Sequence, residues 1–213
     1  MVKKNVPSMV KDEKLIQKRR NQMIKAAVSL FKEKGFHRTT TREIARVAGF
    51  SIGTLYEYIR KKEDVLYLVC DSIYDEVRER LENAIDVDKS GLEKLKQAVH
   101  AFFKVMDDMQ DEVLVMYQET KSLQQEALPY VLKKEIGMAE TFEKLLKHCV
   151  DEKQLELSDK EIQCVAHNIL VQGQMWTFRR WALHSLYTLE EYADIQLGLM
   201  LNGIEKGKVS SSV

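Results

Sequence analysis

The chain has 213 residues, with 33 Lys+Arg against 33 Asp+Glu and only nine Gly and two Pro. That punctuation is too sparse for an all-β fold, which needs a turn signal roughly every 8–12 residues; the alternating strand–helix rhythm of an α/β sheet is missing, and no apolar run approaches the ~18 residues of a membrane span. What remains is an all-α chain of about nine helices, long enough to bury a core without disulfides or metals.

The zero net charge hides a division. Residues 1–66 carry 16 Lys+Arg and 7 Asp+Glu, a net +9, and residues 67–213 carry the balancing −9. One end is drawn to polyanions and the other is repelled by them. Cys70, Cys149 and Cys164 are an odd count with no dense framework, so they read as reduced thiols in a cytoplasmic protein. The basic N-terminus lacks the apolar segment of a signal peptide.

In chain order, residues 1–17 read as a flexible basic arm with Lys3, Lys4, Lys11 and Lys14. Ile24, Ala27, Val28 and Phe31 then mark one face of a helix over about 18–34, closed by Gly35. Thr40 and Glu43 have the spacing of a capping box for a short helix that ends at Gly49, and Ser51 caps a second short helix, SIGTLYEYI. Glu63 and Asp64 open a long helix with acids at its positive end. Further on, Leu92 to Met106 form a clean apolar face. Pro129 falls in the first turn of a helix reaching Cys149, and Ser158 with Glu161 caps a helix from about Asp159 to His184. A last helix covers 189–206, and 207–213 is a frayed tail.

Two short helices joined by a glycine turn on a basic head read as helix-turn-helix, whose second helix enters the major groove. Ser51, Gly53 and Thr54 keep that helix slim where it meets base edges. Tyr56 and Tyr58 supply hydroxyls at phosphate reach, and Lys61 and Lys62 follow. Thr40, at a helix N-terminus, has a hydroxyl and an N–H to offer a phosphate.

Residues 35–66, GFHRTTTREIARVAGFSIGTLYEYIRKKEDVL, resemble the head of the TetR family of bacterial transcription regulators at about a dozen positions in register. The resemblance implies that Thr40 and Arg42 touch the DNA backbone. It also implies that Ser51, Ile52, Gly53, Thr54, Tyr56 and Tyr58 meet DNA and that Lys62 binds a phosphate. Ile52 holds the variable base-reading position and suits a thymine methyl. Phe50 and Ile59 depart from the family pattern as apolar replacements at packing positions. The expected domains are thus a DNA-binding head over 18–66 and a sensing and dimerisation body over 67–206.

For the body, the resemblance implies a homodimer through the last two long helices, with stripes of Ile162, Val165, Ala166, Ile169, Leu170 and Gly173 on one and Ala193, Gln196, Leu197, Met200 and Ile204 on the other. An intramolecular core is the alternative. It also implies an effector pocket, for which Phe102, Phe103, Met106, Met109, Met116, Tyr117, Met138, Phe142, Met175 and Trp176 are candidate walls; plain core is again the alternative. Arg179 and Arg180 between Trp176 and Trp181 suit an acidic amphiphile such as an acyl-coenzyme A. An Arg–acid pair or aromatic stacking at a helix surface is the favoured reading of these residues.

Cys164 and His167 are two ligands where zinc wants three or four, so they read as a core pair. No catalytic motif stands out, and neither enzyme activity, a cofactor nor a membrane partner is expected. Two functions remain open: a ligand-released repressor on a palindromic operator, and a DNA-bound protein-interaction factor without an inducer.

Overall fold

A computed structural model describes residues 6, 8–84, 86, 88–123 and 127–207, the last three without their side chains. Lys3 and Lys4 of the expected arm and residues 208–213 of the expected tail lie outside the described residues. Those described form ten α-helices and one 3-10 turn, with no strand. The helices are α1 (Glu13–Lys34), α2 (Thr41–Ala48), α3 (Ile52–Tyr56), α4 (Lys62–Ala84), α5 (Gly91–Asp108), α6 (Gln110–Glu119), α7 (Ala127–Asp151), α8 (Asp159–Phe178), α9 (Arg180–Leu183) and α10 (Leu189–Gly207). The 3-10 turn, Thr120–Ser122, follows α6. None of these helices is long and apolar enough to cross a membrane.

The start of the first helix and the end of the eighth differ from the sequence reading. The first helix begins at Glu13 rather than near Lys18, because the Asp12 carboxylate accepts the Leu15 N–H at 3.1 Å and caps it. Residues 13–17 are therefore helical. The expected helix to His184 stops at Phe178. Arg179 adopts φ −109°, ψ 24°, its N–H still reaches Met175 O, and the chain restarts as the single turn α9.

The chain folds as two compact units. The first takes in residues up to Ile73 together with Asp111–Lys134. Its core gathers Met23, Ala27 and Phe31 of α1, Ile44 and Ala45 of α2, Leu55 of α3, and Leu66, Val69 and Ile73 of α4. Val113 and Met116 of α6 are also buried there, and the Tyr130 hydroxyl donates to the buried Asp71 carboxylate at 3.0 Å. Residues of α6 are tied to α1 and to the turn after it. Lys32 pairs with Asp111, and Phe36 N donates to Glu119 Oε1 at 3.1 Å.

The second unit comprises Tyr74–Gln110 and the residues from Glu135 on. Here α5 packs against α8 and α10. A Cβ on Gly173 would lie 2.5 Å from Phe102 Cε1, so α8 approaches α5 through a site that admits no side chain. Ile162, Ala166, Ile169 and Leu170 are buried in the same unit, as are Ala193 and Leu197 of α10. The stripes assigned to a partner subunit thus largely cover this unit's own core.

Candidate nucleic-acid interface

Each short helix of the head is fixed at its start by a side chain. On α2, Glu43 N donates to Thr40 Oγ1 at 3.3 Å, while Thr40 N and Thr40 Oγ1 both donate to Glu43 Oε2, at 2.9 and 2.8 Å. Lys34 adds a further contact to Glu43 Oε1. Its hydrogen bond, followed by those from Thr40, brings the Glu43 carboxyl down to about 2. Both donors expected of Thr40 toward a phosphate are therefore engaged by Glu43, and Thr40 is first a cap. The neighbouring threonines take other tasks. Thr39 is buried and donates to Gly35 O at 2.9 Å, closing the turn between α1 and α2. Thr41 Oγ1 lies 3.0 Å from Tyr56 Oη.

The turn between α2 and α3 depends on Gly49. Its φ of 79° and ψ of 30° are left-handed, a conformation that costs a residue with a Cβ. Its N–H reaches back to Ala45 O and Arg46 O, and Phe50 N donates to Ala45 O at 2.8 Å. Ser51 then caps α3, its Oγ accepting from Thr54 N at 3.0 Å and lying 2.9 Å from Thr54 Oγ1. Leu55 anchors the helix in the core, which turns the opposite face outward. Ser51, Gly53 and Tyr56 are exposed on that face, with Ile52 and Thr54 partly so. Arg42 is exposed on α2.

Two expected DNA contacts are corrected. Helix α3 ends at Tyr56. Glu57 N donates to Thr54 O, and Tyr58 N to Leu55 O, in a tightened final turn that carries Tyr58 inward, where it is 3% exposed. Tyr58 is a core aromatic. Its spacing of three from Leu55 already placed it on the inner face. Lys62 is the second correction. Its Nζ donates to Phe36 O at 2.7 Å, His37 O at 3.2 Å and Thr39 O at 2.8 Å, and lies 4.3 Å from the centre of the Phe36 ring. All three ammonium protons are thus used within the protein. Burial lowers the Lys62 pKa, opposed by Glu63 and Glu119. The residue is a clamp on the α1–α2 turn.

The sequence reading missed Thr41, which joins Tyr56 across α2 and α3. A signal was present, since Thr41 opens α2 and Tyr56 ends α3 on the exposed side of both.

The candidate effector residues divide between the units. Phe102, Phe103, Met106, Phe142 and Trp176 are buried together in the second unit, Met138 is also buried there, and Met109 and Met175 are partly exposed. The Phe102 and Phe142 rings lie 5.6 Å apart, and Trp176 and Tyr192 5.2 Å apart. Trp176 Nε1 donates to Asp107 Oδ1 at 2.8 Å. These aromatics pack on one another as core. Met116 is buried in the first unit, whereas Tyr117 is 67% exposed on α6; the α-helical period that buries Met116 turns its neighbour out, so Tyr117 is no wall of its unit's interior. Arg179 is exposed and stacks over Trp181, itself exposed, at 5.3 Å. That pair lies at a helix surface. Cys164 and His167 are also exposed on α8, not in the core as expected.

Residues 23–67 match the family model described as bacterial regulatory proteins, tetR family, and residues 88–204 match the tetracyclin repressor-like C-terminal domain. The HTH-type transcriptional regulator HbdR of Aromatoleum sp. (strain CIB) is 30% identical over 92% of this chain and 84% of its own length. A regulatory protein of the tetR family from Rhodococcus RHA1 superposes with a TM-score of 0.78 at 22% identity, covering 88% of this chain and 97% of that one. AibR, solved in complex with isovaleryl coenzyme A and operator DNA, superposes with a TM-score of 0.71 at 17% identity over 85% of this chain and 97% of its own. The chain belongs to the TetR family of bacterial transcriptional regulators.

Proposed function

We propose that this regulator is a repressor that binds a palindromic operator as a homodimer and is released by an apolar or amphipathic effector of the acyl-coenzyme A class. Residues 18–66 act as the DNA-binding head, and residues 67–206 sense and dimerise. The observation that carries the DNA part is the outer face of α3. Ser51, Gly53, Thr54 and Tyr56 stand on it with no side chain bulkier than Ile52 at its N-terminal end, within residues 1–66, whose net charge is +9. A slim, hydroxyl-bearing helix on a cationic base suits a major groove about 12 Å wide. In this reading Arg42, Ser51, Ile52, Gly53, Thr54 and Tyr56 contact DNA, with Thr40 and Thr41 holding the start of α2 against the backbone. Tyr58 and Lys62 act behind them.

The dimer part rests on α8 and α10, but on the faces opposite to the expected stripes. Val171, Ile195 and Leu199 are exposed apolar residues there, at 53%, 46% and 64%. A two-fold operator asks for two reading helices about 34–36 Å apart, which a dimer supplies. The effector part draws on AibR, whose complex contains isovaleryl coenzyme A, and on the aromatic and Met-rich core around Phe102, Phe142 and Trp176, since Met and aromatic side chains repack readily around acyl chains.

The test is selection of a duplex from a random library, followed by gel retardation with and without acyl-coenzyme A thioesters of several lengths. Retardation of a two-fold site that one chain length abolishes is the expected result. If no duplex is retarded in dilute buffer, the DNA reading fails; if none of the thioesters releases the DNA or shifts the thermal midpoint, the effector reading fails.

A further inference from the structure

The segment before α1 does not behave as a loose arm. Met9 N donates to Glu57 O at 2.8 Å, Ser8 Oγ donates to the same carbonyl at 3.1 Å, and Val10 N folds back onto Ser8 Oγ at 3.1 Å. Glu57 ends α3, so this segment satisfies a backbone acceptor that a helix C-terminus leaves open. Val6 is buried, and the Arg20 guanidinium donates to its carbonyl. Asp64 and Asp71 act electrostatically on Arg20, and the Asp64 carboxylate accepts the N–H groups of Arg60 and Lys61. Val6 and residues 8–10 are thus strapped to the end of the reading helix and to Arg20 of α1.

Two side chains of this segment stand in solvent, one of them on a backbone fixed to Glu57. Met9 is 84% exposed, and Lys11 is exposed. Lys14 and Lys18, on the first turns of α1, are exposed as well. Arg19, from the same stretch, stacks 4.9 Å from the Phe50 ring in the α2–α3 turn, which fixes this end of α1 beside the helix-turn-helix. A cationic, backbone-anchored edge along one flank of a reading helix fits the phosphates of the duplex next to the groove being read, where one negative charge recurs about every 1.7 Å. An apolar side chain held among such cations suits the sugar edges of a minor groove.

We propose that residues 8–11, docked beside the buried Val6, form a second DNA-contacting element in each subunit, with Lys11 on a phosphate and Met9 against the groove edge, outside the bases read by α3. The proposal rests on the DNA-binding reading above. Its test uses the full-length protein and a duplex selected by the unmodified protein, with hydroxyl-radical footprinting and a salt titration of affinity. Lys11→Ala is expected to lower the slope of log K against log salt by about 0.9 per subunit and to lose protection at the two outer edges of the site only. Val6→Asp, which undocks the strap without removing a cation, is expected to lose the same outer protection with the helical content unchanged. Footprints identical to the unmodified protein's for both variants overturn the strap proposal and leave the reading helix untouched. Protection lost evenly across the site also overturns it, since the strap is then only packing. If the unmodified protein selects no duplex, the DNA-binding reading falls and this proposal with it.

Discussion

Lys62 Nζ donates to the Phe36 carbonyl at 2.7 Å while lying 4.3 Å from the centre of the Phe36 ring. One ammonium thus grips both the backbone and the side chain of the residue that turns the chain from α1 toward α2. Glu119 of α6 holds the other side of the same residue, accepting the Phe36 N–H at 3.1 Å.

This relationship predicts that Lys62 braces the head rather than acting on DNA. Lys62→Met removes three donors from three carbonyls and a cation from an aromatic face. Charge-assisted hydrogen bonds contribute about 1.5–3 kcal/mol each where buried, and partial exposure of Lys62 brings the whole clamp to roughly 1–2 kcal/mol. Chemical denaturation of Lys62→Met should show that loss. The slope of log K against log salt should stay as in the unmodified protein, while Arg42→Ala should reduce it by about 0.9 per contact. A reduced slope in Lys62→Met would return the residue to the DNA surface.

Two glycines test packing against access. A Cβ on Gly53 would meet nothing closer than Ser51 Oγ at 3.6 Å, whereas a Cβ on Gly173 would lie 2.5 Å from Phe102 Cε1. Gly173→Ala must therefore push a buried ring, and overpacking of this kind costs about 1–3 kcal/mol. Gly53→Ala should leave stability equal or raise it by about 0.5–1 kcal/mol, because alanine is the better helix residue. It should nevertheless weaken DNA binding at least tenfold if α3 needs its bare backbone against a base edge. Thermal melts and anisotropy titrations on the two variants check both halves. Unchanged DNA affinity in Gly53→Ala would place that position away from the duplex.

The helix-turn-helix was legible in the sequence because its determinants are local. The Thr40–Glu43 box, Gly49 and the Ser51 cap each act within about four residues, and each stands where its spacing placed it. Lys62 was not legible, because its partners lie 23–26 residues away and no local pattern announces a lysine that points inward. Similarly, the apolar stripe of α8 has the same period whichever neighbour it meets. The approach of Gly173 to Phe102 and the Trp176–Asp107 hydrogen bond show that it faces α5. The break at Arg179 had no glycine or proline to mark it, and the Asp12 cap is hard to read because Leu15 and Ile16 are followed by a polar run, 17–22, that interrupts the apolar period.

Acid pH gives a third test. The Glu43 carboxyl is depressed to about 2 by Lys34 and then Thr40, and those of Glu93 and Glu161 are lowered in the same direction by Ser90 and Ser158. A group held below its unfolded value contributes stability that is present above that value and lost as pH falls through the folded one. The contribution of Glu43 should therefore be intact above about pH 4.5 and vanish toward pH 2. Glu43→Gln should lower stability at neutral pH and flatten the acid limb of a denaturation series over that window. The unmodified protein and the variant should converge at its acid end. An acid limb identical in both would show that the Thr40–Glu43 box does not need the charge.

Association through α8 and α10 is tested on their exposed faces. Ile195 and Leu199 lie four apart on α10, one turn of a helix, and both side chains stand in solvent in the single chain. Buried Ala193 and Leu197 alternate with them toward the core, so a charge on the outer pair leaves the internal packing intact. Leu199→Glu should give a folded monomer with an unchanged far-ultraviolet spectrum, whereas Leu197→Glu should unfold the second unit. Light scattering after size exclusion distinguishes the two, and DNA affinity supplies the consequence. If one operator takes two linked heads, the Leu199→Glu monomer should bind a half-site and the full palindrome with the same per-site affinity, without the cooperative gain of the dimer. A dimer that survives both Leu199→Glu and Ile195→Glu would locate the subunit contact elsewhere on the chain.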